Sequence, residues 1–300
     1  MPRYHIIHRT AYKYSMPVAI SRHSGYLKPR SSSRQAIDSF SIAIEPAPAE
    51  QHERKDYFGN TQLHFQIEEP HTGLIITAES RVTVAPPDRL PPPPASAPLT
   101  CRDVREALRK DTSTDSLSAA QMACRSSLTA FTDPIDDFAA PFFPGDRSYY
   151  ECASDLCAAI HQQFEFDPHA TDLSTPVTEV LRLRRGVCQD FAHLMLSCLR
   201  SQYLPARYVS GYILTLPPPG QSRLQGADAS HAWVGIHLPG HGWIDLDPTN
   251  NLLCGDGHVT VAIGRDYADI SPLRGAVIGG GTQKVKIEVT MTPEEEVSRP

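Results

Sequence analysis

The sequence lacks the features that would place it in a membrane or on a nucleic acid. No apolar run approaches the roughly 20 residues that cross a bilayer, so we exclude an integral membrane protein. The 300 residues carry a net charge of −6 rather than an excess of Lys and Arg, which argues against nucleic-acid or anionic-membrane partners. Any partner should therefore be neutral or mixed in charge.

The cysteines lack the spacing of a disulfide framework or a zinc site. There are seven, an odd number, and no C-x-x-C pair occurs. The chain opens with polar MPRYHIIHRT rather than a charged and then apolar leader. We expect a cytoplasmic protein with reduced thiols.

The first 85 residues contain short segments rich in β-branched and aromatic residues, separated by turn residues. They predict an antiparallel β-sandwich over residues 1–85. A Pro-rich stretch at 86–98 can form neither helix nor central strand, so it predicts an extended linker. We expect a second, α+β domain over 99–290 and a frayed, charged tail over 291–300.

Cys188 stands at the predicted start of a helix. Apolar residues follow at the i, i+3, i+4, i+7 and i+8 positions of a buried helix face: Phe191, Leu194, Met195, Cys198 and Leu199. Unpaired N–H groups and the positive end of the helix dipole favour a thiolate at this position. The pattern therefore indicates a cysteine nucleophile.

Two neighbouring strands supply a candidate base and its acid. In SHAWVGIHL and WIDLD the apolar residues are all even-numbered, so only registers that pair odd with odd positions are acceptable. Asp247 must then lie opposite His231 or one diagonal step away, opposite Trp233. In both registers the carboxylate can reach the imidazole, although Asp245 is a competing carboxylate on the same face.

Other polar residues near these motifs have structural and functional interpretations. Asp190 is expected to interact with the helix N-terminus but could also line a substrate cleft, and Trp233 could wall that cleft or pack in the core. A zinc site built from Cys254, His258 and nearby histidines is disfavoured by its spacing. The polar loop 217–230 could form a flap beside the site.

Taken together, three segments resemble the bacterial transglutaminase-like superfamily: RRGVCQDFAHLMLSCLRSQYLPARYVSGYI, SHAWVGIHLPGHGWIDLDPTNN and VAIGRDYADISPLRGAVIGGG. The opening IIHRTAYKYSMPVAISRHSGYLKPR is similar to the N-terminal domain of that family. The resemblance implies a papain-like α+β core at 99–290, in which the helix bearing the cysteine packs on an antiparallel sheet. It also implies a triad of Cys188, His231 and Asp247, and Tyr267 falls in a matching segment that could frame the cleft.

The resemblance implies acyl transfer through a thioester, with a peptide or protein amide as substrate and no cofactor or metal. Water as acceptor would make the protein a cysteine peptidase, and a primary amine would make it a transglutaminase. We expect hydrolysis, because the sequence contains no sign of a dedicated amine pocket. A non-catalytic peptide-binding module is the alternative from another class.

Overall fold

The structure, a computed structural model, describes residues 1–86, 99–215 and 230–294. The predicted linker at 86–98 lies outside these ranges except for its first residue, and the predicted flap at 217–230 lies outside them except for Ser230. Within the described ranges, no helix combines the length and the apolar character needed to cross a bilayer.

The N-terminal region is an antiparallel sheet, as predicted. Its strands are β1 (Arg3–Gly25), β2 (Gln35–Glu45), β3 (Glu50–Lys55), β4 (Thr61–Ile67) and β5 (His71–Val84). Every second residue of β5 from Leu74 onward is buried, as expected when one face of a strand packs on a core. The sequence analysis missed β3, whose side chains are all exposed because it pairs only with β4 at the sheet edge.

Strand β1 is long enough to pair with two groups of strands. Its first part pairs with β5, and residues 21–25 pair with β4 after a shift in register. Side chains from both groups form one core, which includes Val18, Leu63, Phe65, Ile67, Leu74 and Ile76. The two groups thus pack face to face as a sandwich that shares β1.

The second region begins with helices. They are α1 (Cys101–Lys110), α2 (Thr114–Gln121), α3 (Asp133–Ala139), α4 (Tyr149–Gln163), α5 (Val177–Leu183) and α6 (Cys188–Ser201), with the two-residue strands β6 (Glu165–Phe166) and β7 (Arg185–Gly186) beside α5. Thr100 caps α1, and the Asp103 carboxylate completes a capping box by accepting the Thr100 N–H.

Helix α6 lies at the centre of this region. Residues 191–200 are all buried, because α6 packs against a sheet on one side and against α3, α4 and α5 on the others. The sheet has the order β11-β10-β9-β8-β12 and is antiparallel throughout. Its strands are β8 (Ala206–Ile213), β9 (Ser230–Leu238), β10 (Gly242–Asp247), β11 (Leu252–Leu253) and β12 (His258–Gly264).

The last two strands, β13 (Leu273–Gly279) and β14 (Gln283–Glu294), differ from the predicted domain boundaries. Both pair with β1 in the N-terminal sheet, so the second domain does not extend to residue 290. Met291 is buried in the main core and pairs with Ile6, which is incompatible with a frayed tail beginning at 291. Residues 295–300 lie outside the described ranges.

Two buried amides join the two regions along the free edge of β12. The Gln35 side chain accepts from Thr260 N and donates to Thr260 O, both at 2.8 Å. Asn60 likewise accepts from Ile263 N at 2.9 Å and donates to Ile263 O at 2.8 Å. Each amide presents the donor and acceptor that a neighbouring strand would supply, so no backbone group at these positions is buried without a partner.

Arg200, at the end of α6, is fully buried and holds the adjoining loops. Its guanidinium donates to the carbonyl oxygens of Met122, Ala206 and Arg265 at 2.6 to 3.1 Å. Burial lowers the pKa of Arg200 to about 10, so the side chain remains a cation at neutral pH.

Arg200→Met should lower the free energy of unfolding by about 3 kcal/mol, because three carbonyl groups lose their buried donor. Urea denaturation measures the change. Arg182→Met is the matched control: Arg182 is exposed and pairs with Glu179 one turn away, so its loss should leave the free energy of unfolding nearly unchanged. Equal costs for the two variants would contradict the role assigned to Arg200.

Candidate active site

Cys188 is the first residue of α6, at the helix N-terminus as predicted. The turn before it is held by Asp190, whose Oδ2 accepts from Val187 N at 2.8 Å and from Thr171 Oγ1 at 2.6 Å. A Cβ at Gly186 would come within 2.7 Å of the same oxygen, so the chain needs glycine there. Together these contacts determine where the helix starts and where the thiol points.

The accessibility of Cys188 sets it apart from the other cysteines. All seven are free thiols, and five are buried: Cys101, Cys152, Cys157, Cys198 and Cys254. Cys188 is half-buried and Cys124 is exposed on the surface. Only Cys188 among them is hydrogen-bonded to a histidine, His231.

His231 lies near the start of β9, between the thiol and a carboxylate. Its Nε2–H donates to Asp247 Oδ2 at 2.7 Å. Nδ1 is then the ring nitrogen that faces Cys188. Burial by itself would lower the pKa of His231, but hydrogen bonds with Asp247 and Cys188 outweigh burial and raise it, so the imidazolium is stabilised beside the sulfur.

The register of β9 and β10 explains how Asp247 reaches His231. Asp245 pairs with Gly235 and Leu246 with Val234, so odd positions pair with odd, as predicted. One further step places Asp247 opposite Trp233 and diagonal to His231, which is the second of the two predicted registers. Asp245 instead accepts from Trp233 Nε1 at 3.3 Å and faces Arg207.

Asp247 is completely buried and surrounded by donors. Its Oδ1 accepts from the backbone N–H groups of Thr249 and Asn250 at 2.9 and 3.2 Å, and its Oδ2 accepts from Asn250 Nδ2 at 2.7 Å. Burial would raise the pKa of this carboxyl, but the hydrogen bonds from His231, His258 and Asn250 outweigh it and lower the pKa well below its usual range. Asp247 therefore stays ionised and holds the imidazole in one tautomer.

His258 is a second histidine on the same carboxylate, and the sequence analysis considered it only as a zinc ligand. Its Nδ1 accepts from Gly255 N at 3.3 Å, so Nε2 carries the proton and faces Asp247 Oδ2 at 3.4 Å. Gly211, on the neighbouring strand β8, makes room for the Trp233 ring, since a Cβ there would lie 2.4 Å from that ring. No sequence signal indicated that His258 lies beside Asp247. Strand β12 is placed there by its pairing with β8, which is distant in the sequence.

The three predicted cleft residues lie in different environments. Asp190 is buried as the cap of α6, and Trp233 is 0% exposed in a core cluster with Val209, Cys254 and Ile263. Tyr267 is partly buried, and its ring packs edge-on against Tyr208 at 6.5 Å. Tyr208, which the sequence analysis did not single out, lies close enough to Cys188 for the two groups to interact electrostatically.

The residues considered for zinc are dispersed. His237 bonds to Asp115 at 2.9 Å, whereas His258 faces Asp247. Across the three described ranges, no group of three or more His, Cys, Asp or Glu side chains is arranged to hold a metal ion.

Asp190→Ala should lower the free energy of unfolding by about 1 kcal/mol and slow alkylation of Cys188, because the first turn of α6 loses its cap. Denaturation and iodoacetamide labelling followed by mass spectrometry measure the two effects. Asp103→Ala removes the equivalent cap from α1 and should leave alkylation of Cys188 unchanged. Unchanged labelling in Asp190→Ala would show that the cap does not position the thiol.

Two family models match the chain. The model described as the bacterial transglutaminase-like N-terminal region matches residues 4–83, and the model described as the transglutaminase-like superfamily matches residues 136–248. The second match contains Cys188, His231 and Asp247.

One relative and one solved structure are similar to this chain over most of its length, and another relative is similar over a shorter part. An uncharacterized protein of Mycobacterium tuberculosis strain H37Rv is 40% identical over 98% of this chain and 93% of its own length. A protein-glutamine gamma-glutamyltransferase of Pseudomonas aeruginosa is 36% identical, but over only 31% of this chain and 15% of its own length. The crystal structure of a candidate cysteine protease from Cytophaga hutchinsonii is similar over 100% of this chain and 93% of that one, with a TM-score of 0.77 and 20% identity.

The last comparison shows a shared fold, and the family matches agree with the two regions seen in the structure. The chain therefore belongs to the transglutaminase-like superfamily and carries the bacterial N-terminal region of that superfamily.

Proposed function

We propose that this chain is a cytoplasmic, cofactor-independent thiol enzyme that cleaves amide or isopeptide bonds in peptides or proteins. The observation that carries the proposal is the continuous hydrogen-bonded series from the Cys188 thiol through His231 to the buried Asp247 carboxylate. A nucleophile, a base in contact with it and an acid that orients the base are the requirements of nucleophilic acyl transfer. Seven free thiols support a reducing compartment.

In the proposed reaction the Cys188 thiolate attacks the carbonyl carbon and forms a C–S bond. The developing oxyanion would be stabilised by the Cys188 N–H at the start of α6, where helix N–H groups have no intrahelical acceptor. His231 then donates the Nδ1 proton to the leaving amine as the C–N bond breaks, which produces a thioester. Water attacks the thioester while His231 accepts its proton, and a carboxylic acid leaves as the thiol is restored.

Amine transfer is the second candidate function, and the relative from P. aeruginosa favours it. That protein is a protein-glutamine gamma-glutamyltransferase, and its similarity to this chain extends over 102 residues. The thioester would form in the same way, but a primary amine would replace water in the second step. Product analysis with and without an added amine distinguishes the two reactions.

Cys188→Ala should abolish turnover of any peptide or isopeptide that the wild-type protein cleaves, because no other side chain in this series can form the acyl bond. A peptide and isopeptide panel, analysed by mass spectrometry, provides the assay. Cys124→Ala removes the exposed thiol and should leave turnover unchanged. Turnover retained by Cys188→Ala would overturn the assignment, and iodoacetamide labelling of Cys188 as slow as that of Cys124 would favour a non-catalytic binding module.

Asp247→Asn should lower turnover by on the order of 10²-fold or more and move the alkaline limb of the pH–rate profile to lower pH. The sign follows from the raised pKa of His231: the protonated imidazole is lost as the pH rises through that pKa, and removal of the carboxylate lowers it. Asp245→Asn, on the same face, should keep the wild-type limb. Profiles of kcat/KM from pH 5 to 10 test this, and an unmoved limb in Asp247→Asn would contradict the role of Asp247.

A further inference from the structure

A cavity of about 900 Å³ lies between the N-terminal sandwich and the second sheet. One wall is the segment 30–35, and the other consists of side chains on β9, β10 and β12. Neither Cys188 nor His231 lines the cavity, although Trp233 and His258 do. It is thus a separate site, one aromatic layer away from the triad, and its volume is typical of pockets for small molecules.

Three arginines line this cavity, and two of them have no carboxylate partner within the described ranges. Arg30 donates to the neutral acceptors Phe58 O and Asn60 Oδ1, and Arg34 makes only a long bond of 3.5 Å to Ala85 O. Burial lowers the pKa of Arg30, the nearby positive charge of Arg207 lowers it further, and the Asp56 carboxylate only partly opposes these two effects. The two cations therefore repel each other across a partly desolvated space.

The acidic groups at the cavity do not neutralise this charge. They are Glu151, which is exposed, and Asp245, which already accepts from Trp233 Nε1 at 3.3 Å and faces Arg207 Nη2 at 3.5 Å. Among the described residues that line the cavity, three arginines against two carboxylates leave a local positive excess in a chain whose net charge is −6. A pocket of the opposite sign to the whole chain concentrates anions.

Two guanidinium nitrogens in the cavity wall are buried without an acceptor. Arg34 Nε and Arg207 Nε have no hydrogen-bond partner among the described residues. These two nitrogens are enclosed by the protein, but both side chains remain partly exposed at the cavity, so a bound acceptor would contact the other nitrogens of their guanidinium groups. The guanidinium fork also matches the two oxygens of a carboxylate or phosphate.

An aromatic ring lies beside these donors. The Arg207 guanidinium stacks on the Trp243 ring, with 4.4 Å between its central carbon and the ring centroid. Tyr150 and Trp233 also line the cavity. A ligand that carries an oxyanion on an apolar or aromatic body would satisfy both parts of the wall.

We propose that the cavity between the two regions binds a small organic anion, with its oxyanion on Arg34 and Arg207 and its apolar body against Trp243. The oxyanion can be a carboxylate or a phosphate, since both accept from a guanidinium fork. This site does not depend on the proposed acyl transfer, because its residues do not include the nucleophile or the base.

Calorimetric titration of the full chain with benzoate, phenyl phosphate and uncharged benzamide tests the proposal. At least one anion should bind ten-fold more tightly than benzamide, and the tighter of the two identifies the oxyanion. Arg34→Gln should weaken that anion at least ten-fold, and Arg34→Lys should weaken it less, because lysine keeps the charge but loses the fork.

Two further variants serve as controls. Arg125→Gln removes an exposed cation that does not line the cavity, and it should bind like wild type. Cys188→Ala should also bind like wild type, which separates this site from the acyl-transfer site whether or not the protein is an enzyme. Anions that bind no better than benzamide, full affinity in Arg34→Gln, or loss of binding in Cys188→Ala would each overturn the proposal.

Discussion

The buried carboxylate of Asp247 is the interaction on which the arrangement of the candidate site depends. A charge removed from water costs several kcal/mol unless donors surround it, and here the donors come from three parts of the chain. The turn after β10 supplies two N–H groups and the Asn250 amide, β9 supplies His231, and β12 supplies His258. The low dielectric of the interior makes this charge costly to bury, and it also strengthens the hydrogen bond between Asp247 and His231.

Because these donors converge on one group, the sheet and the site constrain each other. His231 cannot rotate away from Asp247 without leaving a buried charge short of a donor, so its other nitrogen remains directed at Cys188. Helix α6 constrains the position of the Cys188 thiol, since Asp190 and Gly186 determine where this helix begins. The candidate nucleophile and base are therefore positioned by two independent sets of buried hydrogen bonds.

The part of this site that local patterns encode could be predicted from the sequence. The two-residue period of β9 and β10 was enough to place Asp247 opposite His231 or within one diagonal step of it, because alternation and the short connecting turn restrict the register of a hairpin. The helical period after Cys188 placed the thiol at a helix start for the same reason. The contact between the Cys188 thiol and His231 joins residues that are far apart in the sequence. Its prediction therefore required the family resemblance.

What could not be predicted depends on partners far away in the chain. Nothing local in the sequence showed that β13 and β14 pair with β1 rather than with the second domain. His258 was missed because β12 reaches the site across the sheet from β8. The choice between the two interpretations of Trp233 also depends on distant residues, because the N-terminal sandwich packs against the second sheet through Gln35 and Asn60.

The pairing of β1 with β13 and β14 has a consequence for how the chain is made. Strand β1 is synthesised long before β13 and β14, its partners along one edge, which begin only at Leu273. Until then a 23-residue strand carries unpaired backbone groups along one side, the kind of edge that promotes aggregation. The N-terminal sandwich is therefore completed only after the second sheet has been synthesised, and a chaperone that shields this edge during synthesis would act on the step at which the protein is most vulnerable.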